Sequence, residues 1–197
     1  MPACEGCILD KNIIVTCQLL ERYAAGEKNF CRADLRATHL YRANLKSAKL
    51  MFSNLAGIQL SYSQLEAANL CCATLEDTQL AFANLQDADL WGANLEGADL
   101  TGADLERGKI TCAHLKNAIL NGTNLKDADL RGANLSGASL KGACLKGASL
   151  GGAIVEKAVF QDIFGLSELT KFELCQLGAI VEYSSDSRTV FCVGRPN

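Results

Sequence analysis

Proline and histidine are nearly missing from this sequence, with two of each among 197 residues, and aromatics make up only 6%. Scarce histidine removes the commonest general base and metal ligand, so nucleophile–base catalysis has little to assemble from. No apolar run approaches the roughly 18 residues that a membrane span needs. The stretch from Met1 to Leu9 has neither the basic nor the apolar region of a secretion signal, so a soluble cytoplasmic protein without a membrane partner is expected. A formal net charge of −3 is too small to announce a nucleic-acid binder. Cysteine is plentiful, at ten residues, but a disulfide framework is the reading for short secreted chains. Reduced, mostly structural thiols are expected instead. The length suits one domain with a sizeable core.

What is abundant is periodic. From Phe30 to Phe160 every fifth residue is apolar, giving 27 centres without an insertion; Leu35, Leu40 and Leu45 lead on to Leu150 and Val155. Two residues before each centre stands a small residue, as at Ala83, Ala88, Ala93, Ala98 and Ala103. A polar residue lies between, as at Asn84, Asp89, Asn94, Asp99 and Asp104. Steps of five scatter around an α-helix by about 140° each, and on a continuous strand they flip face every time. The small residue and the centre, two apart, do share one strand face. The chain must therefore turn once per pentad, and glycines such as Gly92, Gly97, Gly102 and Gly132 supply freedom for such turns.

The residue after the centre is usually charged following Leu35, Leu45 and each tenth residue onward (Arg36, Lys46, Glu66, Glu76, Glu96, Glu106), and rarely so following Leu40, Leu50 and each tenth onward (Tyr41, Met51, Cys71, Trp91, Thr101). A period of ten survives only with an even number of sides, which predicts four sides and 20 residues per turn. The run Ala93-Asn94-Leu95-Glu96-Gly97, with its neighbours in register over 28–160, resembles the pentapeptide-repeat family. The resemblance implies an all-β solenoid, a right-handed quadrilateral β-helix of roughly 6–7 coils, and a non-enzymatic protein. Lys28, Ile58, Gly108, Ile119 and Cys144 depart from the pattern before a centre and leave the local turn type open.

A solenoid needs covers at both ends. In the N-terminal segment, 1–27, Ile13, Ile14, Cys17, Leu20 and Ala24 recur at helical spacing, with Asp10 or Asn12 as N-cap and Gly26 as stop. The stretch Leu19–Gly26 leading into Asn29-Phe30 resembles the lead-in of cyanobacterial family members. In the C-terminal segment, 161–197, a short helix is expected over Ser167–Leu177, with Leu166, Leu169 and Phe172 apolar. A hairpin is expected to follow, with Ala179–Tyr183 and Arg188–Val193 joined across Ser184–Ser187.

Little in the chain promises chemistry. Cys4 and Cys7 form a C-x-x-C without nearby histidine, short of the four ligands zinc requires. Cys31 and Cys71 share a column, as do Cys72 and Cys112, but two coils at about 4.8 Å each exceed the roughly 7 Å reach of a disulfide. Whether Cys175 pairs with Cys192 stays open. His39 and His114 are isolated replacements of the Asn/Asp position. Neither a catalytic, cofactor nor metal site is expected.

The surface says more. Between Leu50 and Glu106 stand nine acids and neither lysine nor arginine; from Arg107 to Leu150 the sign reverses. The same acidic turns carry Met51, Cys71 and Trp91 in one column, Phe52 and Cys72 beside it, and Tyr62 and Phe82 opposite. These point to a scaffold or regulatory protein that binds a basic partner protein through Met51, Phe52, Cys71, Glu76, Trp91 and Glu96. Weak antiparallel self-pairing of acidic and basic turns into a homodimer is a second expectation, screened beyond a Debye length of about 10 Å at 0.1 M salt. Some family members mimic duplex DNA and bind type II topoisomerase (gyrase), and the resemblance holds that alternative open. A band of acid roughly 14 Å long, flanked by basic coil, argues against it.

Overall fold

Every pentad ends in a turn that the sequence can be seen to build. Ala93, Asn94 and Leu95 run extended; the chain then reverses through Glu96 and Gly97, closed by the Ala98 N–H donating to the Leu95 carbonyl at 3.1 Å. Gly97 has φ +68°, the left-handed third position of a type II turn. The Asn/Asp before the centre holds this turn from within: Asn94 Oδ1 accepts from the Glu96 N–H, as Asp89 Oδ1 does from the Trp91 N–H. That Asx contact is why a short polar amide or carboxylate recurs there.

The computed structural model describes residues 11–36, 38–185 and 188–193, with side chains over 16–36 and 38–181. Parallel bridges join residue i to i+20, from Asn29–Lys49 through Asn94–His114 to Cys144–Phe164. Four turns therefore complete one circuit, and the chain is a four-sided parallel coil. On each side two ladder bonds tie neighbouring coils, as where Leu95 N–H donates to His114 O at 2.7 Å and Asn94 N–H to Ala73 O at 2.9 Å. The centres fill the interior: Leu75, Leu95 and Leu115 stack on one side, each no more than 1% exposed. The alanines beside them, such as Ala93 and Ala98, are equally buried and keep room for those stacks. The turns preceding Ile58 and Gly108, at Gly57 and Arg107, keep the same positive φ as the rest. Ile119 points outward and Ile58 inward.

Glycine turns out not to be needed for the turn itself. Arg32, Phe52, Tyr62, Cys72, Phe82 and Asn117 hold the same left-handed conformation, at a steric cost that glycine avoids. What glycine provides is space. A Cβ on Gly102 would lie 2.6 Å from the Phe82 ring, and one on Gly97 2.3 Å from the Asp77 carboxylate. Large side chains at this corner position lean onto the coil above, and glycine there receives them.

Threonine or serine sometimes replaces the buried alanine, and most such hydroxyls find a carbonyl: Ser53 Oγ donates to Leu50 O and Thr78 Oγ1 to Leu55 O. Ser63 Oγ, buried, has no partner among the described residues. Because a stranded buried hydroxyl costs about 1–3 kcal/mol, Ser63→Ala is expected to raise the melting temperature by a few degrees. A lower melting temperature in calorimetry would contradict that assignment.

At the N-terminal end lies helix α1, Lys11–Ala24. Its inward face differs from the one the spacing suggested. Leu19 is buried and Leu20 and Tyr23 pack against the core, while Cys17 and Ala24 are exposed. Tyr23 decides this: its ring stacks on Phe30 at 6.4 Å and its hydroxyl donates to Lys46 O at 2.6 Å. The pair Leu19/Tyr23, one helical turn apart, thus faces the first coil. The proposed cap Asp10, the side chains of Ile13 and Ile14, and Cys4 and Cys7 lie outside the described residues. No described helix is long and apolar enough to cross a membrane.

At the other end, β1 (Val159–Phe160) pairs in parallel with β2 (Ile180–Ser185), which pairs antiparallel with β3 (Arg188–Val193). The turn residues 186–187 lie outside the described residues. Between them α2, Glu168–Gln176, starts at Ser167, whose Oγ accepts from the Thr170 N–H. Leu174 and Cys175 are its buried residues, whereas Leu169 and Phe172 are exposed. Inward packing therefore falls on Leu166 and the last turn of α2, where the chain returns to pair with β1, and not on Leu169 and Phe172. Cys175 is disulfide-bonded; the side chain of Cys192, the partner raised by the sequence, lies outside those described.

Candidate protein-interaction surface

The two turn positions of each pentad form the corners of the coil, and corner residues 20 apart stand in columns. One corner stacks Met51, Cys71 and Trp91 in its first position, and Phe52, Cys72 and Gly92 in its second. Backbone bonds lock these turns to one another: Phe52 N–H donates to Cys71 O at 3.0 Å and Cys72 N–H to Trp91 O at 2.9 Å. Trp91 is 50% exposed and Phe52 53%. Met51 and Cys71 are half-buried, and the Arg32 guanidinium sits 6.0 Å over the Phe52 ring. Burial pushes the Cys71 thiol up to about 11, helped by its contact with Cys72 and by the negative charge of Asp89.

The next corner along the chain carries the carboxylates. Glu76, Asp77 and Glu96 line a cleft of about 430 Å³ together with Gly97 and Asn117. Glu76 accepts from Asn94 Nδ2, and Glu96 pairs with Lys116 at 3.3 Å. Among the described residues neither Glu76 nor Asp77 forms an ion pair. Several other acids are answered by bases just outside the acidic stretch: Lys46–Glu66 at 2.6 Å, Arg107–Asp87 at 2.8 Å and Lys126–Glu106 at 3.0 Å. Hydrogen bonds from Arg107 and Lys126 hold the Asp87 and Glu106 carboxyls below their ordinary range. Asp89, whose Oδ1 accepts from the Trp91 N–H, likewise forms no ion pair among the described residues.

The structure thus brings Met51, Phe52, Cys71 and Trp91 onto one corner and Glu76 and Glu96 onto the neighbouring one. It also shows what column-by-column reading missed. Tyr41, Tyr62 and Phe82 form one exposed aromatic ladder, with ring centroids 5.7 and 5.1 Å apart and Arg42 over the first two rings. Tyr41 occupies the first turn position and Tyr62 the second, so strict 20-residue spacing separates rings that touch. The adjacent thiols of Cys71 and Cys72 also meet, at 3.8 Å; the Cys-Cys dipeptide inside a turn was the available signal. Among the described residues no three His, Cys, Asp or Glu side chains gather as a metal site.

Residues 78–111 and 109–147 match the family model for pentapeptide repeats, with eight copies. Those residues carry pentapeptide repeats. The chain is similar to HetL of Nostoc sp. strain PCC 7120, a pentapeptide repeat protein involved in heterocyst differentiation regulation. The two are 26% identical over 88% of this chain and 98% of HetL, with a TM-score of 0.47. It is also similar to Rfr23 of Cyanothece 51142, 33% identical over 52% of this chain and 64% of that one, TM-score 0.37. QnrB1, a plasmid-mediated fluoroquinolone resistance protein, is 15% identical over 76% of this chain and 85% of its own, TM-score 0.48. No curated protein sequence matches the chain significantly.

Proposed function

We propose that this pentapeptide-repeat protein is a non-catalytic binding protein that docks a basic protein segment on the corner formed by Met51, Phe52, Cys71 and Trp91. Glu76 and Glu96 on the next corner steer that segment. The observation that carries the reading is Trp91, half exposed, five residues before Glu96 on the same coil. Carboxylates speed encounter with a basic partner, while a desolvated tryptophan supplies contact energy.

Affinity capture of the partner followed by titration tests the reading. Trp91→Ala is expected to weaken binding by at least about 2 kcal/mol, roughly 30-fold, with the fold intact by circular dichroism. Charge reversal at Glu76 and Glu96 is expected mainly to slow association and flatten its salt dependence. Unchanged affinity on loss of Trp91 would remove the site. The topoisomerase alternative is separated by a gyrase supercoiling assay, in which no inhibition is expected, since Arg107, Lys116 and Lys126 interrupt any continuous run of carboxylates along the rod.

A further inference from the structure

We propose that the Cys71–Cys72 turn, with Met51 one coil below, is a binding site for a soft thiophilic ion, cuprous copper foremost. The site shares Met51 and Cys71 with the docking corner, but its test is read without the partner. The two sulfur atoms are 3.8 Å apart, both thiols are free, and both residues are half-buried. A disulfide would need them at about 2.05 Å. By contrast, two sulfurs sharing one ion at metal–sulfur bonds of about 2.3 Å stand roughly 3.8–4.0 Å apart in tetrahedral or trigonal geometry. The spacing already present is the bite of a chelate.

The turn that holds them is rigid. Cys71 N–H donates to Asn69 Oδ1 at 3.1 Å, and both flanking coils bond to the turn backbone. Cys72 sits at φ 54°, a left-handed position that the next coil of the column fills with Gly92. Its sulfur occupies the open space over that glycine, 3.5 Å from where a Cβ would stand. The donor set decides the class of ion. Two thiols, with the Met51 thioether one coil below in the same column and without histidine, are soft ligands that favour Cu(I); structural zinc asks for four nitrogen, sulfur or carboxylate donors. Asp89, one coil above, adds negative charge that favours a cation. On binding, each S–H bond is replaced by an S–Cu bond, two protons leave to solvent, and no electron is transferred.

The only tryptophan of the chain, Trp91, stands directly above Cys71 and serves as reporter. The full-length reduced protein is titrated anaerobically with cuprous ion supplied as its acetonitrile complex, in the presence of a competing Cu(I) chelator. Trp91 fluorescence is expected to fall by more than half, saturating at one equivalent. Cys71→Ser and Cys72→Gly, the latter placing in the turn the residue found one coil above, are each expected to abolish the quenching. Cys31→Ser and Cys112→Ser are expected to leave it unchanged, and Met51→Leu to weaken binding severalfold. Quenching that survives Cys71→Ser or Cys72→Gly would overturn the site. So would an absence of quenching at one equivalent, or equal affinity for Zn(II).

Discussion

Replacing Leu95 with alanine is expected to lower stability by about 2–5 kcal/mol, the cost of lost burial plus a residual cavity. Leu95 is 1% exposed and lies between Leu75 and Leu115, which are equally enclosed. Its neighbours cannot close the gap, because Leu95 N–H and Asn94 N–H are fixed to the coils on either side. For a chain of this size that loss corresponds to a melting-temperature drop on the order of 10 °C. Ile119→Ala is the matched control. Ile119 is an aliphatic residue of the next coil but points outward at 39% exposure, so its loss is expected to change stability by only about 0.5 kcal/mol. Equal effects of the two substitutions in thermal or denaturant unfolding would contradict the inward stacking.

Gly165→Val is expected to release the C-terminal cap from the coil. Gly165 follows Phe164, which bridges to Cys144 in the coil below, and has φ +89°. A Cβ there would lie 2.4 Å from Lys146 Cα and 2.5 Å from Lys146 N. Those are backbone atoms and cannot swing aside as the Phe82 ring does over Gly102. Left-handed strain and the clash together are expected to cost at least about 3 kcal/mol, spent on separating the chain after 165 from the coil. Hydrogen exchange at Ile180 and Val181 should accelerate while Leu100–Leu120 stays protected. Gly122→Val isolates the strain, since a Cβ on Gly122, at φ +64°, meets nothing within 4 Å. Slow exchange at Val181 in the Gly165 variant would show that the close approach does not hold the cap.

Period and face were readable because the repeat is strict. One apolar centre every five residues, with a small residue two before it, forces a turn per pentad. Alternation of charge over ten residues then points to an even number of sides. The bridges from Asn29–Lys49 onward return this as a 20-residue circuit. The caps were less legible for a physical reason: a single helix packed on one end of a rod has its face set by the end it meets. Leu20 packs inward as expected, but Cys17 and Ala24 were as plausible as Leu19 and Tyr23 until the Phe30 ring and the Lys46 carbonyl were in place. Glycine's backbone freedom was legible and is used at the turns, but Phe82 against Gly102 shows that the coil also needs glycine's missing side chain. The composition of the candidate surface was visible in the sequence. Contacts between columns were not, because Tyr41–Tyr62 and Cys71–Cys72 cross from one turn position to the other.

The measurement that tests the account most directly is collisional quenching of Trp91 in the free protein by quenchers of opposite charge. An exposed ring two residues from Asp89 and one corner from Glu76, Asp77 and Glu96 should be reached readily by neutral acrylamide. Caesium should quench it more efficiently than iodide at low ionic strength, and the difference should shrink as salt screens the carboxylates. A blue-shifted emission shielded from all three quenchers would place Trp91 within the structure and not at a binding surface. Equal quenching by caesium and iodide would detach it from the carboxylates on which the proposed docking of a basic partner depends.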